Sequence, residues 1–210
     1  MFIDSKKLVI FDWDGTLFDT RPICRRAAIL TIEKLFGNIE FSQDFLKSIE
    51  TDPIRSVFNV LKISDQKVQK IFIYEYFNLY RKIEIDYPLI DDVYNFIIYL
   101  SSQDYQLAIA TGRSRERLLP LLETKGILSF FNSIRCIEDG PKKPDPYILL
   151  SILDQLRILA KDSIFIGDSL SDYHASINAN IDFVYAKYAV NKDIVIPNFV
   201  SNINELYEIL

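Results

Sequence analysis

The chain has 210 residues, of which 49% are hydrophobic and 25% charged, a composition typical of a globular protein that excludes a disordered one. Its 24 Lys and Arg stand against 29 Asp and Glu, and the net charge of -5 argues against nucleic acid as a partner. No apolar run approaches the roughly 18 residues needed to span a bilayer, and residues 1–4 show no signal-peptide pattern, so we expect a cytoplasmic protein with no membrane partner.

The first predicted element is the short apolar run of residues 7–11, which is typical of a buried strand in a parallel sheet. Similar runs follow at residues 107–110, 134–137, 163–166 and 183–186. Between them, apolar residues repeat at helix spacing from Val93, Leu118 and Leu149, the last after Pro146, which suits the first position of a helix. Strands alternating with helices indicate an α/β fold with a doubly wound, Rossmann-like parallel sheet.

Residues 18–86 interrupt this alternation, because no stretch of them reads as a strand. Helix starts are predicted at Ser42, at Asp52 with Pro53, and at Ser64. We therefore predict an all-helical cap domain, residues 18–86, inserted into an α/β core domain of residues 1–17 and 87–210. Such an insertion would lie over the carboxyl end of the first strand, where open α/β sheets bind their ligands.

The strongest chemical signal is Asp12-Trp13-Asp14-Gly15-Thr16, directly after the first strand. Two carboxylates at positions i and i+2 of an extended chain point to the same side, so both can face one ligand. One can attack phosphorus while the other moves a proton for the leaving group. Gly15 permits a sharp turn and exposes amides that can approach phosphate oxygens.

Asp168 also follows an apolar strand, so we expect it beside Asp12 at the carboxyl edge of the sheet. Two carboxylates with a carbonyl and waters form the oxygen shell that Mg²⁺ prefers. The sequence therefore predicts a magnesium ion here, which would offset the repulsion between an anionic carboxylate and an anionic phosphate.

Four motifs, in order, resemble those of the haloacid dehalogenase superfamily, over residues 9 to about 185. They are the run from Phe11 to Thr20, Thr111-Gly112, Lys143-Pro144, and the run Gly167-Asp168-Ser169-Leu170-Ser171-Asp172. The resemblance implies that Asp12 is the nucleophile and Asp14 the general acid and base.

The resemblance also implies the roles of the later motifs. Thr111 and the Gly112 amide would donate hydrogen bonds to the transferring phosphoryl group, where such donors stabilise developing negative charge. Of two neighbouring lysines, the family's spacing favours Lys143 as the countercharge and leaves Lys142 as a solvated charge. The metal would be held by Asp12, the main-chain carbonyl of Asp14, and Asp168, with Asp172 acting through a water.

Candidates for substrate contact are Arg21 and Arg55 in the helical insertion, which resembles the family's smaller cap, and Arg113, which follows Thr111-Gly112. The alternative for Arg21 and Arg55 is a solvated surface position. His174 falls outside the motifs and is interpreted as a surface or packing residue, and Trp13 as a packing residue.

Asp14 argues for phosphate ester chemistry, because the dehalogenases of the superfamily have no carboxylate at this position. The hypothesis is a phosphatase that hydrolyses a small phosphorylated metabolite through an aspartyl-phosphate intermediate, resembling phosphoglycolate phosphatases. One alternative is a phosphosugar mutase of the β-phosphoglucomutase type, and another is a non-catalytic binding protein on the same fold. The identity of the substrate and the oligomeric state stay open.

Overall fold

The computed structural model describes residues 6–189 and 195–210. The prediction that no signal peptide is present rests on residues 1–4, which lie outside this range. Among the described residues, no helix is both long enough and apolar enough to cross a membrane.

The chain forms two compact units, one from Asp19–Pro88 and the other from the described residues on either side of it. The first unit is entirely helical where it is regular. It contains α1 (Arg21–Phe36), α2 (Gln43–Thr51), α3 (Pro53–Val60) and α4 (Gln66–Asp86). The interpretation of residues 18–86 as a cap over a catalytic site stays a prediction.

Side-chain caps define where three of these helices begin. The Ser42 hydroxyl accepts a hydrogen bond from the Phe45 amide at the start of α2, and Asp52 caps the Arg55 amide of α3. The start of α4 differs from the predicted one by a residue, since Asp65 and not Ser64 is the cap. Asp65 Oδ1 accepts hydrogen bonds from the Lys67 and Val68 amides of the first turn, so the cap lies one residue further along.

The second unit is built on a six-stranded sheet in the order β3-β2-β1-β4-β5-β6, with every neighbouring pair parallel. The strands are β1 (Leu8–Phe11), β2 (Gln106–Ala110), β3 (Ser133–Arg135), β4 (Ser163–Gly167), β5 (Asp182–Ala186) and β6 (Phe199–Val200). All residues of β1 and β4 are buried, as expected of central strands covered on both faces. The doubly wound α/β prediction is confirmed.

Helices cover both faces of this sheet. They are α5 (Val93–Ser102), α6 (Arg115–Thr124), α7 (Tyr147–Leu156), α8 (Leu170–Asn178) and α9 (Asn204–Tyr207). On one face, α7 and α8 pack against Leu8, Ile10 and Phe165. On the other, Phe96 of α5 meets Phe11 edge to face at 6.3 Å.

Most strand boundaries differ from the predicted ones by a single residue, and the end of β3 and the start of α7 have identifiable causes. The third strand ends at Arg135, because the Cys136 amide binds the Asp139 carboxylate at 2.7 Å and residues 137–139 turn into a short 3₁₀ helix. Pro146 precedes α7 as its cap residue instead of occupying the first helical position.

The register of the central strands brings the ends of three strands to one edge. Phe11, the last residue of β1, lies opposite Ile109 of β2 and Ile166 of β4. The residues that follow these strands therefore emerge side by side, as expected for parallel strands. The two chain segments of this unit are joined by a hydrogen bond, in which the Ile90 amide donates to the Leu17 carbonyl at 3.2 Å.

Candidate active site

The turn after β1 is held by its own main chain. The amides of Thr16, Leu17 and Phe18 converge on the Trp13 carbonyl at 3.0–3.3 Å, and the Gly15 amide donates to the Phe18 carbonyl at 2.8 Å. Trp13 is fully buried and stacks on Phe18 at 5.4 Å, which is the packing position expected for it. The turn thus fixes the backbone that carries Asp12 and Asp14.

Gly15 has a left-handed backbone, with φ of 82°, and it lies against Asp168. A Cβ at this position would approach the Asp168 carboxylate, coming within 2.6 Å of its Cγ. Only glycine satisfies both the backbone conformation and this close approach.

Three carboxylates meet at the carboxyl edge of the sheet. Asp12, Asp168 and Asp172 each offer one oxygen, and these oxygens all lie within 4.8 Å of one another. Asp12 and Asp172 are buried and Asp168 is half-buried. Clustered carboxylate oxygens of this kind suit a hard divalent cation such as Mg²⁺, so the donor set fits the predicted metal.

The position of Asp172 is set by the first turn of α8. The Asp172 amide donates to Ser169 Oγ at 3.2 Å, and the Ser169 amide donates back to Asp172 Oδ2 at 3.1 Å, forming a capping box. This exchange leaves Asp172 Oδ1 directed toward Lys143 Nζ, 2.5 Å away. Asp172 therefore belongs both to the capping box of α8 and to the acidic cluster.

Lys143 joins the cluster with a buried ammonium group. Its Nζ donates to Asp12 Oδ1 at 2.7 Å and to the Ala110 carbonyl at 3.0 Å, besides its contact with Asp172. Burial by itself lowers the pKa of Lys143, but the Asp12 and Asp172 carboxylates outweigh it and raise that pKa above its ordinary value. Lys143 therefore carries its charge, whereas the neighbouring Lys142 is exposed.

Burial also raises the pKa of Asp12 well above its ordinary value. The positive charge of Lys143 opposes this shift, and the carboxylates of Asp172, Asp168 and Asp14 add to it. Burial and the neighbouring carboxylates thus act together on Asp12, whereas on Lys143 the carboxylates act against burial. A bound cation would reverse this balance and favour the anionic form of Asp12.

Thr111 and Gly112 follow β2 beside this cluster. The Thr111 amide donates to the Arg135 carbonyl at 3.0 Å, and its hydroxyl accepts from the Arg113 amide at 3.1 Å. Both residues line a cavity of about 220 Å³ with Lys143, and Gly112 is exposed. The remaining lining residues are Cys136, Ile137, Pro141, Lys142, Ile148 and Ser171.

Arg113 binds Asp14 directly. Its Nη2 lies 2.5 Å from Asp14 Oδ1, and its Nε donates to Asp14 Oδ2 at 3.2 Å. The sequence predicted both residues for the site but did not predict that they pair with each other.

The other two candidate arginines lie in the helical unit. Arg21 forms a two-pronged ion pair with Asp19, at 2.8 and 2.7 Å, and Arg55 is exposed in the first turn of α3. His174 is exposed on α8, next to the ring of Tyr173. That position matches the surface role expected for it.

Tyr188 is a site neighbour that the sequence did not indicate. Its hydroxyl donates to the Thr16 carbonyl at 2.9 Å, linking the segment after β5 to the turn after β1. Burial, with a further contribution from Asp168, raises the pKa of this phenol. No motif marks this tyrosine, so only the folded arrangement reveals it.

Comparison with known proteins adds to this geometry. The model of a family described as haloacid dehalogenase-like hydrolase matches residues 9–186. A phosphoglycolate phosphatase from Nitrosospira multiformis is 30% identical over 196 residues, covering 89% of this chain and 85% of the relative. Another, from Colwellia psychrerythraea, is 28% identical over 201 residues, covering 91% of this chain and 88% of the relative.

A solved structure shares the fold over almost the whole chain. It is that of a HAD-superfamily hydrolase, subfamily IA, variant 1, from Geobacter sulfurreducens. Its TM-score is 0.81 and its sequence identity 18%, with 97% of this chain and 95% of that chain covered.

Proposed function

Since the chain belongs to the haloacid dehalogenase-like hydrolase family, we propose that it is a Mg²⁺-dependent phosphatase that hydrolyses a small phosphate monoester through an aspartyl-phosphate on Asp12. The observation that carries this proposal is the buried cluster in which Lys143 Nζ contacts both Asp12 and Asp172, beside the exposed Gly112.

In the first step, an oxygen of the Asp12 carboxylate forms a bond to phosphorus as the bond to the alcohol oxygen breaks. Asp14 gives its proton to that oxygen, so the alcohol leaves as a neutral molecule. In the second step, Asp14 takes a proton from water, the water oxygen attacks phosphorus, and Asp12 is released with orthophosphate. The two steps together consume one water and restore both carboxylates.

The surrounding residues lower the cost of bringing two anions together. Lys143 holds a positive charge next to the Asp12 oxygen and cannot easily lose it in this cluster. The Thr111 hydroxyl and the Gly112 amide would donate to phosphoryl oxygens, where fixed donors stabilise developing charge.

Mg²⁺ would be held by Asp12, Asp168, the Asp14 carbonyl and, through water, Asp172. Bound there, it supplies neutralisation of negative charge and orientation of the phosphate.

The substrate class follows from the relatives as a proposal. Curated phosphoglycolate phosphatases cover about nine-tenths of the chain, which makes 2-phosphoglycolate the first compound to test. The helical unit would act as a lid that excludes water, with Arg21 and Arg55 as contacts for the second anionic group of the substrate. A cytoplasmic location stays a prediction.

The test is release of orthophosphate from a panel of phosphorylated metabolites, with and without Mg²⁺. The panel includes 2-phosphoglycolate, inorganic pyrophosphate and hexose phosphates. We expect Mg²⁺-dependent release that is lost in Asp12→Asn while that variant keeps its circular dichroism spectrum. Wild-type rates in Asp12→Asn would contradict the assigned nucleophile, and an isomeric sugar phosphate without free phosphate would indicate the mutase.

A further inference from the structure

The ion pair between Arg113 and Asp14 joins residues 99 positions apart. The guanidinium makes two contacts with the carboxylate, one through Nε and one through Nη2. The Arg113 side chain is 4% exposed, whereas that of Asp14 is 39% exposed. Arg113 is therefore the buried, fixed half of the pair. Asp14, the proposed acid and base, is the accessible half.

The fixed half is anchored at both of its main-chain polar groups. The Arg113 amide donates to Thr111 Oγ1 at 3.1 Å, and its carbonyl accepts from the Ile137 amide at 3.1 Å. The guanidinium thus starts from a constrained backbone. Two-pronged arginine–carboxylate pairs fix orientation as well as distance, which a lysine could not do.

Asp14 has its main chain held by the turn after β1, whereas its carboxylate is held by Arg113. It sits just before the left-handed Gly15, on the loop that turns away from β1. A carboxylate that must meet a leaving group and later a water needs a defined position, since small misplacements of a catalytic group are costly. Arg113 is the residue that supplies this position.

We propose that Arg113 is a positioning residue that acts on the reaction through Asp14 and does not bind the substrate phosphate. This inference rests on the proposed function, and it replaces the substrate contact that the sequence suggested for Arg113. Two of the guanidinium's donors already face Asp14, so the geometry assigns its role to the carboxylate.

The test combines steady-state kinetics with direct binding of inorganic phosphate. The variants are Arg113→Met, Arg113→Lys, Asp14→Asn and the double variant Asp14→Asn/Arg113→Met. Arg115→Met is the control for loss of a nearby arginine ion pair, because Arg115 lies two residues away and pairs with Asp139 at 2.5 Å from a more exposed position. Circular dichroism and the fluorescence of Trp13 check folding, and Arg113→Lys provides the measurement if Arg113→Met does not fold.

We expect Arg113→Met to lower kcat by about 10- to 100-fold and to leave KM within about threefold of wild type. Arg113→Lys, which keeps one contact, should have a kcat between those of the wild type and Arg113→Met. Arg115→Met should match the wild type. In the Asp14→Asn background, loss of Arg113 should have no further effect on kcat. Isothermal titration should show that Mg²⁺-dependent phosphate binding to Asp14→Asn is the same with and without Arg113.

The inference is overturned if KM rises or phosphate binding weakens by about tenfold or more on loss of Arg113. It is also overturned if Arg113→Met retains the full kcat. The same holds if adding Arg113→Met to Asp14→Asn lowers kcat by as large a factor as Arg113→Met alone lowers that of the wild type. The binding measurement decides even where Asp14→Asn has no measurable turnover. A wild-type protein inactive on every phosphate ester would contradict the proposed function instead, and the phosphate titration would still test Arg113.

Discussion

Replacing Lys143 with methionine is expected to destabilise the metal-free sheet unit by about 3–5 kcal/mol, the usual cost of removing one partner from a buried ion pair. Methionine matches the length of the lysine stem, so the change removes the charge while preserving much of the packing. Lys143 and Asp12 have side chains only 9% exposed, and Asp172 only 1%, so water would not screen the carboxylates left behind. Asp12, Asp168 and Asp172 would then repel one another without a compensating charge.

Urea unfolding followed by fluorescence measures this effect, since Trp13 is the chain's sole tryptophan and is fully buried beside Asp12. At a slope of about 2 kcal/mol per M urea, the midpoint should fall by about 1.5–2.5 M. Lys142→Met is the control, because the exposed Lys142 should change stability by no more than about 0.5 kcal/mol.

Mg²⁺ should stabilise Lys143→Met more than it stabilises the wild type, because the variant's acidic cluster binds a cation more strongly. Equal midpoints for Lys143→Met and Lys142→Met without metal would refute the reasoning. They would mean that desolvation of the lysine cancels its attraction to the carboxylates.

The other predictions concern a glycine, an ionisation and a thiol. Gly15→Ala should raise the Mg²⁺ concentration needed for half-maximal activity. The control Gly126→Ala, with φ of 68° but no neighbour within 4 Å, should only lower stability. Equal Mg²⁺ requirements in the two variants would contradict the contact of Gly15 with Asp168. Because the folded state raises the pKa of Asp12, it retains a proton that the unfolded chain releases. Without metal, the free energy of unfolding should therefore fall as pH rises above about 4, and Asp12→Asn should flatten this fall in urea titrations across pH. Burial raises the pKa of Cys136 to about 11, so in a Cys24→Ser background iodoacetamide at pH 8 should label the native protein about 100-fold more slowly than the unfolded chain.

The sequence was sufficient to predict the strands at the centre of the sheet. The residues of β1 and β4 form continuous apolar runs because they are buried on both faces, and such runs are visible without a structure. The two-residue strand β6 was missed, since Phe199 is exposed and a run this short has no periodicity. The end of β3 was misplaced because Asp139 captures the Cys136 amide, a local competition that apolar patterning does not report.

Some residues of the candidate site could likewise be predicted from the sequence, and others could not. Asp12, Thr111 and Asp168 each follow a strand, so parallel strand order by itself predicts that they meet at one edge. The partner of Arg113 could not be predicted, because an ion pair across 99 residues depends on which way two loops turn after leaving the sheet. Tyr188 was missed for a similar reason, as its contact is with the main chain of Thr16 and main-chain contacts leave no sequence pattern.

The hydrogen bond between the Ile90 amide and the Leu17 carbonyl means that the chain leaves the sheet unit and re-enters it at adjacent points. A connection of about two to six residues, common between elements of compact domains, could join these points without the helical unit. The main chain at these two points is therefore compatible with insertions of different length. The contacts proposed for substrate choice belong to the helical unit, whereas the strand register and the contact of Asp12 with Lys143 are formed by residues of the sheet unit alone.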